Sequence, residues 1–232
     1  MFHDVQIVKM NMGNANAYLI TDGDRAILVD AGRNKKLKKL KFVLTKLKLQ
    51  PEDVKLIILT HTHYDHVGSL KRFQDFTKAK ILVHEAEAHN LRQGYKQFPR
   101  GTMLLSKVMS WLGRTFLNRI AHFDAVEPDI IIRDNFDLRE FGFKGYVMHT
   151  PGHTNGSVCV IINNKHALVG DTLFHIFRDH LYPPFADDTD ILIQSWKKLA
   201  DVDCEFYYPG HGQPFKHDDL LREYSRMKAR MG

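Results

Sequence analysis

Short apolar runs spread along the whole chain constrain its fold more than any other feature. "VQIVK", "AYLIT", "AILVD", "KLIILT", "KILVH", "GYVMH", "SVCVIIN", "HALVG" and "EFYYPG" read as strands. Helical spacing lies between them at 34–49, 67–76, 85–94, 103–120, 188–200 and 217–229. Strands mixed with helices throughout predict a layered α/β or α+β fold. Several strands run straight into polar residues, as in "LVDAG", "ILTHTHYDH", "VMHTPGHTNGS", "LVGD" and "YYPGHG". Polar groups gathered at strand ends, on loops held by a rigid sheet, are the usual layout of an active site.

The chain of 232 residues is long enough to bury a substantial core and shows no repeats or long linkers, so it is read as a single domain spanning 1–232. No apolar run approaches the roughly 20 residues that a membrane span requires. The start, "MFHDVQIVKMNMG", lacks the basic-then-apolar order of a secretory signal, and the expectation is a cytoplasmic protein. Cys159 and Cys204 are the only cysteines and no CxxC spacing occurs, which argues against a disulfide framework or a thiolate zinc site. Cys159, inside "SVCVII", reads as core.

The net charge of +6 is unevenly placed, because segments 33–50 and 90–122 are basic and contain no acid. Such patches can mark nucleic acid or anionic lipid. In the first, however, Leu37, Leu40, Leu44 and Leu47 recur at helical spacing with lysines opposite, the pattern of a solvated amphipathic helix. Nucleic acid is therefore not the expected partner.

"THTHYDHVGS" puts His61, His63, Asp65 and His66 within six positions. Inert loop residues would account for it, and so would a metal site, since neutral imidazole and carboxylate are ligands for zinc and similar cations. Later loops add His153 in "PGHT", Asp171 in "GDTLF" and His211 in "PGHG". A histidine in a Gly-Pro turn is usually just a polar loop residue. It is the ordered set, all at strand ends, that favours a metal site.

The series "VDAG", "HTHYDH", "PGHT", "GDTLF", "PGHG" resembles the metallo-β-lactamase superfamily, from about residue 17 to 215. The resemblance implies an αββα sandwich of two mixed β-sheets flanked by helices, with a two-metal site along one edge. It implies His61, His63 and His153 on the first metal, Asp65, His66 and His211 on the second, and Asp171 bridging both. Asp30 would support the site without binding metal. Two divalent ions are expected, zinc first, with iron or manganese as alternatives. A bridging hydroxide would be the nucleophile, oriented by Asp65, which is also the expected proton carrier.

Within that resemblance, His63 stands where flavodiiron oxidoreductases carry Glu, and the chain has no length for their flavin domain. Zinc β-lactamases of the best-known group place a Cys on the second metal, and none is present here. "GDTLF" with "HTPGHT" is most similar to the glyoxalase II and lactonase neighbourhood. The expectation is hydrolysis of a small ester, thioester or lactone. The alternatives are a phosphodiesterase or ribonuclease, and a persulfide dioxygenase with one iron. Phe174, Arg178 and Trp111 are the candidate substrate contacts. Trp111 belongs to the basic helical insertion at about 90–122, where Met103, Leu104, Val108, Trp111, Leu112, Phe116 and Leu117 form an apolar stripe. That stripe is either core, or a lid or homodimer contact whose glycines and Pro99 allow bending.

Overall fold

The computed structural model describes residues 4–33, 35–116, 121–176 and 180–231. The first sheet has the order β1-β2-β3-β4-β5-β6, from Gln6–Asn11, Asn16–Thr21, Ala26–Val29, Val54–Ile58, Lys80–His84 and Ile130–Ile132. β1 to β3 pair antiparallel, and β3 to β6 run parallel. The second sheet has the order β12-β11-β10-β9-β8-β7, from Phe215–Lys216, Phe206–Pro209, His166–Gly170, Val158–Ile162, Gly145–His149 and Phe136–Asp137. Only its β10–β11 pair is parallel. Both sheets are thus mixed, as the resemblance implies.

Alternation along buried strands sorts their side chains into layers. Tyr18 and Ile20 of β2, Leu56 and Ile58 of β4, and Val158 and Val160 of β9 meet between the sheets. Leu19 and Ile57 point the other way, onto Leu40 and Leu44 of α1 (Leu37–Leu47) and Leu70 and Phe73 of α3 (Leu70–Thr77). Cys159 and Ile161 pack on Leu192, Trp196 and Leu199 of α6 (Thr189–Val202). α7 (His217–Met231) closes that side with Leu220. The result is helix, sheet, sheet, helix. Cys159 is core as expected, and burial pushes its thiol up to about 12.

Local chemistry explains most element boundaries. Asp188 accepts from the backbone N–H of Asp190 and Ile191, capping α6. Lys48, Lys78 and Gly94 end α1, α3 and α4 (Glu85–Gln93) in the left-handed conformation. The helix expected at 67–76 is α3, which begins at Leu70; a short α2 (Tyr64–Val67) precedes it, separated by Gly68 and Ser69. Strands β6, β7 and β12 are too short to show alternation and were not expected from the sequence. No helix among the described residues is long and apolar enough to cross a membrane.

The two sheets are stitched together where the polar loops converge. Val158 N–H donates to Thr60 O at 2.9 Å and Asn16 N–H to Gly210 O at 2.7 Å, while within the second sheet Gly210 N–H donates to Gly170 O at 2.7 Å. Trp196 Nε1 donates to Thr172 O at 2.6 Å and clamps the turn after β10.

Packing on the helical faces should dominate stability. Phe73→Ala, in a fully buried site, should cost about 3–5 kcal/mol. Phe42→Ala, on the solvated face of α1, should cost less than about 0.5 kcal/mol. Urea unfolding midpoints compare the two, and equal costs would contradict this layering.

Candidate metal centre

Eight side chains from five strand-end loops meet at the stitched edge. Asp30 follows β3, the 61–66 group follows β4, His153 follows β8, Asp171 follows β10, and His211 follows β11. Three sets have ligand atoms mutually within 4.8 Å: His61, His63 and His153; His61, His66 and Asp171; Asp65, His66 and His211. Asp171 is central. Its Oδ2 is 3.9 Å from His61 Nε2, 3.5 Å from His153 Nε2 and 3.4 Å from His211 Nε2, and its Oδ1 is 3.2 Å from His66 Nε2. Asp65 Oδ2 stands 3.5 Å from His211 Nε2.

The ring orientations are held from behind. His153 Nδ1 donates to Phe185 O and His211 Nδ1 to Asn14 O, both at 2.9 Å. The Asp30 carboxylate receives Thr60 N–H and the Thr60 hydroxyl at 2.8 Å each, and lies 2.8 Å from His66 Nδ1. Because the Thr60 hydroxyl donates to Asp30, it must accept from His61 Nδ1, 3.1 Å away. Each of these four rings therefore presents Nε2 to the centre, and His63 presents Nδ1, 3.0 Å from His153 Nε2. Asp30 itself sits at φ 61°, in the left-handed region. It reaches no ligand set among the described residues and acts behind them.

The donor set fits a cation. His61 Nε2, His66 Nε2 and Asp171 Oδ1 are buried without hydrogen-bond partners, and such atoms carry a desolvation cost unless something else satisfies them. A Cβ on Gly210 would come within 2.3 Å of Asp171 Oδ1, so a glycine is required where backbone passes the cluster. Burial holds His61, His63 and His153 below the ordinary imidazole value, leaving neutral rings at pH 7. Burial also opposes charge on His66 and His211, but the neighbouring Asp171 carboxylate, helped by Asp30 at His66 and Asp65 at His211, raises both. A cation taking these two nitrogens therefore displaces protons.

The cleft above the cluster has a volume of about 450 Å³, and its apolar walls include Phe98, Met109, Phe174 and Phe185. Phe174 stacks on the His211 ring, with centroids 4.6 Å apart. Trp111 is on α5 (Leu104–Phe116), 62% exposed, and does not line this cleft; Met109 of the same helix does. Arg178 and Leu117 lie outside the described residues. α5 is not the core-packed helix of one sequence reading. It buries Ser106, Ser110 and Gly113 and exposes Leu104, Leu105 and Val108.

The sequence reading overlooked Glu87. This fully buried carboxylate accepts from the Thr62 N–H at 3.2 Å and from the Thr62 hydroxyl, between His61 and His63. Burial opposes its charge, but Lys96 at 2.9 Å and the Thr62 and Thr154 hydroxyls hold its carboxyl below the usual range. Its one sequence signal is position: an acid beside Ala88 and Leu91 on the buried face of α4. Glu87→Ala would strand Lys96 and both threonines and should cost about 3 kcal/mol in urea unfolding. Glu87→Gln, which keeps an acceptor for Thr62, should cost less; the reverse order would deny Glu87 this role.

Comparison with known proteins agrees with the geometry. An acyl-coenzyme A thioesterase of Homo sapiens, MBLAC2, is 28% identical, over 94% of this chain and 80% of its own length. A probable metallo-hydrolase of Streptococcus pyogenes is 28% identical, over 87% of this chain and 81% of its own. The crystal structure of a metallo-beta-lactamase family protein from Thermus thermophilus superposes with a TM-score of 0.72 at 22% identity, covering 98% of this chain and 79% of that one, a likeness of fold. The family model of the metallo-beta-lactamase superfamily matches residues 10–211, and relatives named thioesterase and metallo-hydrolase are consistent with a metal-dependent hydrolase. The chain belongs to the metallo-beta-lactamase superfamily.

Proposed function

We propose that the protein is a dinuclear metal-dependent hydrolase that cleaves a thioester in preference to other carbonyl esters or lactones. The observation that carries this reading is Asp171 standing within 4 Å of His153 in one candidate set and of His211 in another, at the foot of an apolar cleft. The thioester preference draws on the relative named an acyl-coenzyme A thioesterase.

In this reading His61, His63 and His153 would hold one cation, Asp65, His66 and His211 would hold the other, and Asp171 would be shared between them. Bound there, divalent cations would supply Lewis acidity toward a carbonyl and make water a usable nucleophile near pH 7. Everything else falls to the chain. Asp30 and Thr60 fix the His61 and His66 rings, and the Phe185 and Asn14 carbonyls fix His153 and His211. Phe98, Phe174 and Phe185 exclude bulk water around the scissile carbon. Asp65, which lines the cleft, orients the attacking water, accepts its proton at Oδ2 and passes it to the departing sulfur. Water and thioester thereby give a carboxylic acid and a thiol.

Metal analysis beside a substrate panel tests this. Two equivalents of metal with thioester turnover are expected, abolished by chelation and restored by zinc. One iron with oxygen uptake would indicate the dioxygenase instead, and phosphodiester turnover the nuclease. His63→Ala should lose one cation and more than about 100-fold in rate, and Asp171→Ala should disturb both cations. Asp65→Asn should lower kcat more than it raises KM. A variant at His63 or Asp171 that keeps full metal and full rate would overturn its assignment.

A further inference from the structure

A second apolar cavity adjoins the metal cleft. It has a volume of about 430 Å³ and lies between α5 and the loop that follows Asp171. Met103, Leu105 and Met109 form its helix side, and Ile176 and Tyr182 part of its loop side. Met109, Phe174, Ile176, Pro184 and Phe185 line both cavities, so the two form a continuous groove. Among the described residues its polar lining is sparse: Ser106, whose hydroxyl is engaged by Met103, and His180, with the Tyr182 hydroxyl.

The groove is built rather than incidental. Thr102 N–H donates to Pro184 O and Ala186 N–H to Arg100 O, both at 2.9 Å, tying the start of α5 to the loop. The Thr102 hydroxyl adds a bond to Pro183 O at 2.8 Å. Ser110 Oγ donates to Pro99 O at 2.6 Å, and Arg114 Nε to Phe98 O at 3.0 Å. A Cβ on Gly113 would stand 2.7 Å from the Phe98 ring, so the helix lies close against 98–101. With its small residues inward, α5 turns large apolar ones outward and toward the groove. Leu105 is 73% exposed, Ile176 54% and Met109 48%. Apolar surface of this kind, continuous with a reaction site, marks a place for an apolar part of the substrate.

We propose that this groove is the acyl-chain site: the thioester carbonyl sits at the His and Asp cluster, and a saturated alkyl chain runs past Phe174 and Met109 to lie between Leu105 and Ile176. The site rests on the thioester reading for its substrate. Flexible methionines let chains of different length pack. A groove whose described lining carries no Asp, Glu, Lys or Arg discriminates mainly by length, through burial of successive methylenes.

The test compares acyl-coenzyme A thioesters from two to sixteen carbons. With up to roughly fourfold gained per buried methylene, dodecanoyl-coenzyme A should exceed acetyl-coenzyme A in kcat/KM by at least about 100-fold. Leu105→Asp puts a carboxylate in the groove at an exposed position and should cut that ratio at least about tenfold, the effect of fewer than two methylenes. Leu104→Asp, one residue away, 83% exposed and outside both cavities, should leave the ratio as it is. A calorimetric titration of the metal-free protein with a dodecyl-coenzyme A thioether separates groove from chemistry. Leu105-dependent thioether binding without thioester turnover would sink the hydrolase reading and keep the groove. Turnover with a flat length profile, and thioether binding no tighter than coenzyme A itself, would overturn the groove. So would equal effects of Leu104→Asp and Leu105→Asp, or a flat profile with α5 buried in a dimer or on lipid vesicles.

Discussion

A carboxylate buried among imidazoles governs this structure. Asp171 is 4% exposed and has four histidine nitrogens within 4 Å. Burial alone would drive its proton on, yet the surrounding rings, His211 and His66 foremost, keep it charged. Five such rings cannot share one small volume unless each is held in one orientation and tautomer. Backing groups do this for four of them: Asp30 with Thr60 for His61 and His66, and the Phe185 and Asn14 carbonyls for His153 and His211, while Glu87 holds Thr62 between His61 and His63. Remove the orientation and the nitrogens would no longer converge.

That requirement explains the architecture around it. Loops alone would not bring these seven side chains together, so the loops spring from strands of two sheets whose edges are bonded directly to each other. Gly210 shows how tight the junction is, since its backbone bonds to both Asn16 and Gly170 while a side chain there would strike Asp171. Trp196 reaches from the far layer to hold Thr172, so even the outer helix α6 bears on the position of Asp171. The core is apolar and the edge is polar, and the two are coupled through the strand ends.

The segment before and within α5 stands apart from that logic. Its amphipathic pattern suggested either burial or a lid, and both were reasonable from the spacing of its apolar residues. The structure seats it by Ser106, Ser110 and Gly113 instead, which pack against 98–101 and bring the helix close to the loop carrying Phe185. Because the Phe185 carbonyl orients His153, the helix and the cluster share a support. Small residues can make a closer helix contact than leucines, and they leave the leucines free for another surface.

Local chemistry in the sequence determined much. Short apolar runs located nine of the twelve strands among the described residues, and the order of His and Asp at strand ends announced the residue types of the cluster, because both signals need only neighbouring residues. Asp30 was legible from its place in "LVDAG". Tertiary structure alone decided what depends on distant partners. Glu87 is 25 positions from Thr62 and looked like any helical acid until α4 docked it inward. Strands β6, β7 and β12 exist because a neighbouring edge accepts them, not because three or fewer residues carry a pattern. Which face of α5 is buried, and that Met109 rather than Trp111 lines the cleft, follow from packing against Phe98 and the 183–186 loop. A helix's apolar spacing shows that it has an apolar face; only the rest of the fold selects the surface that covers it.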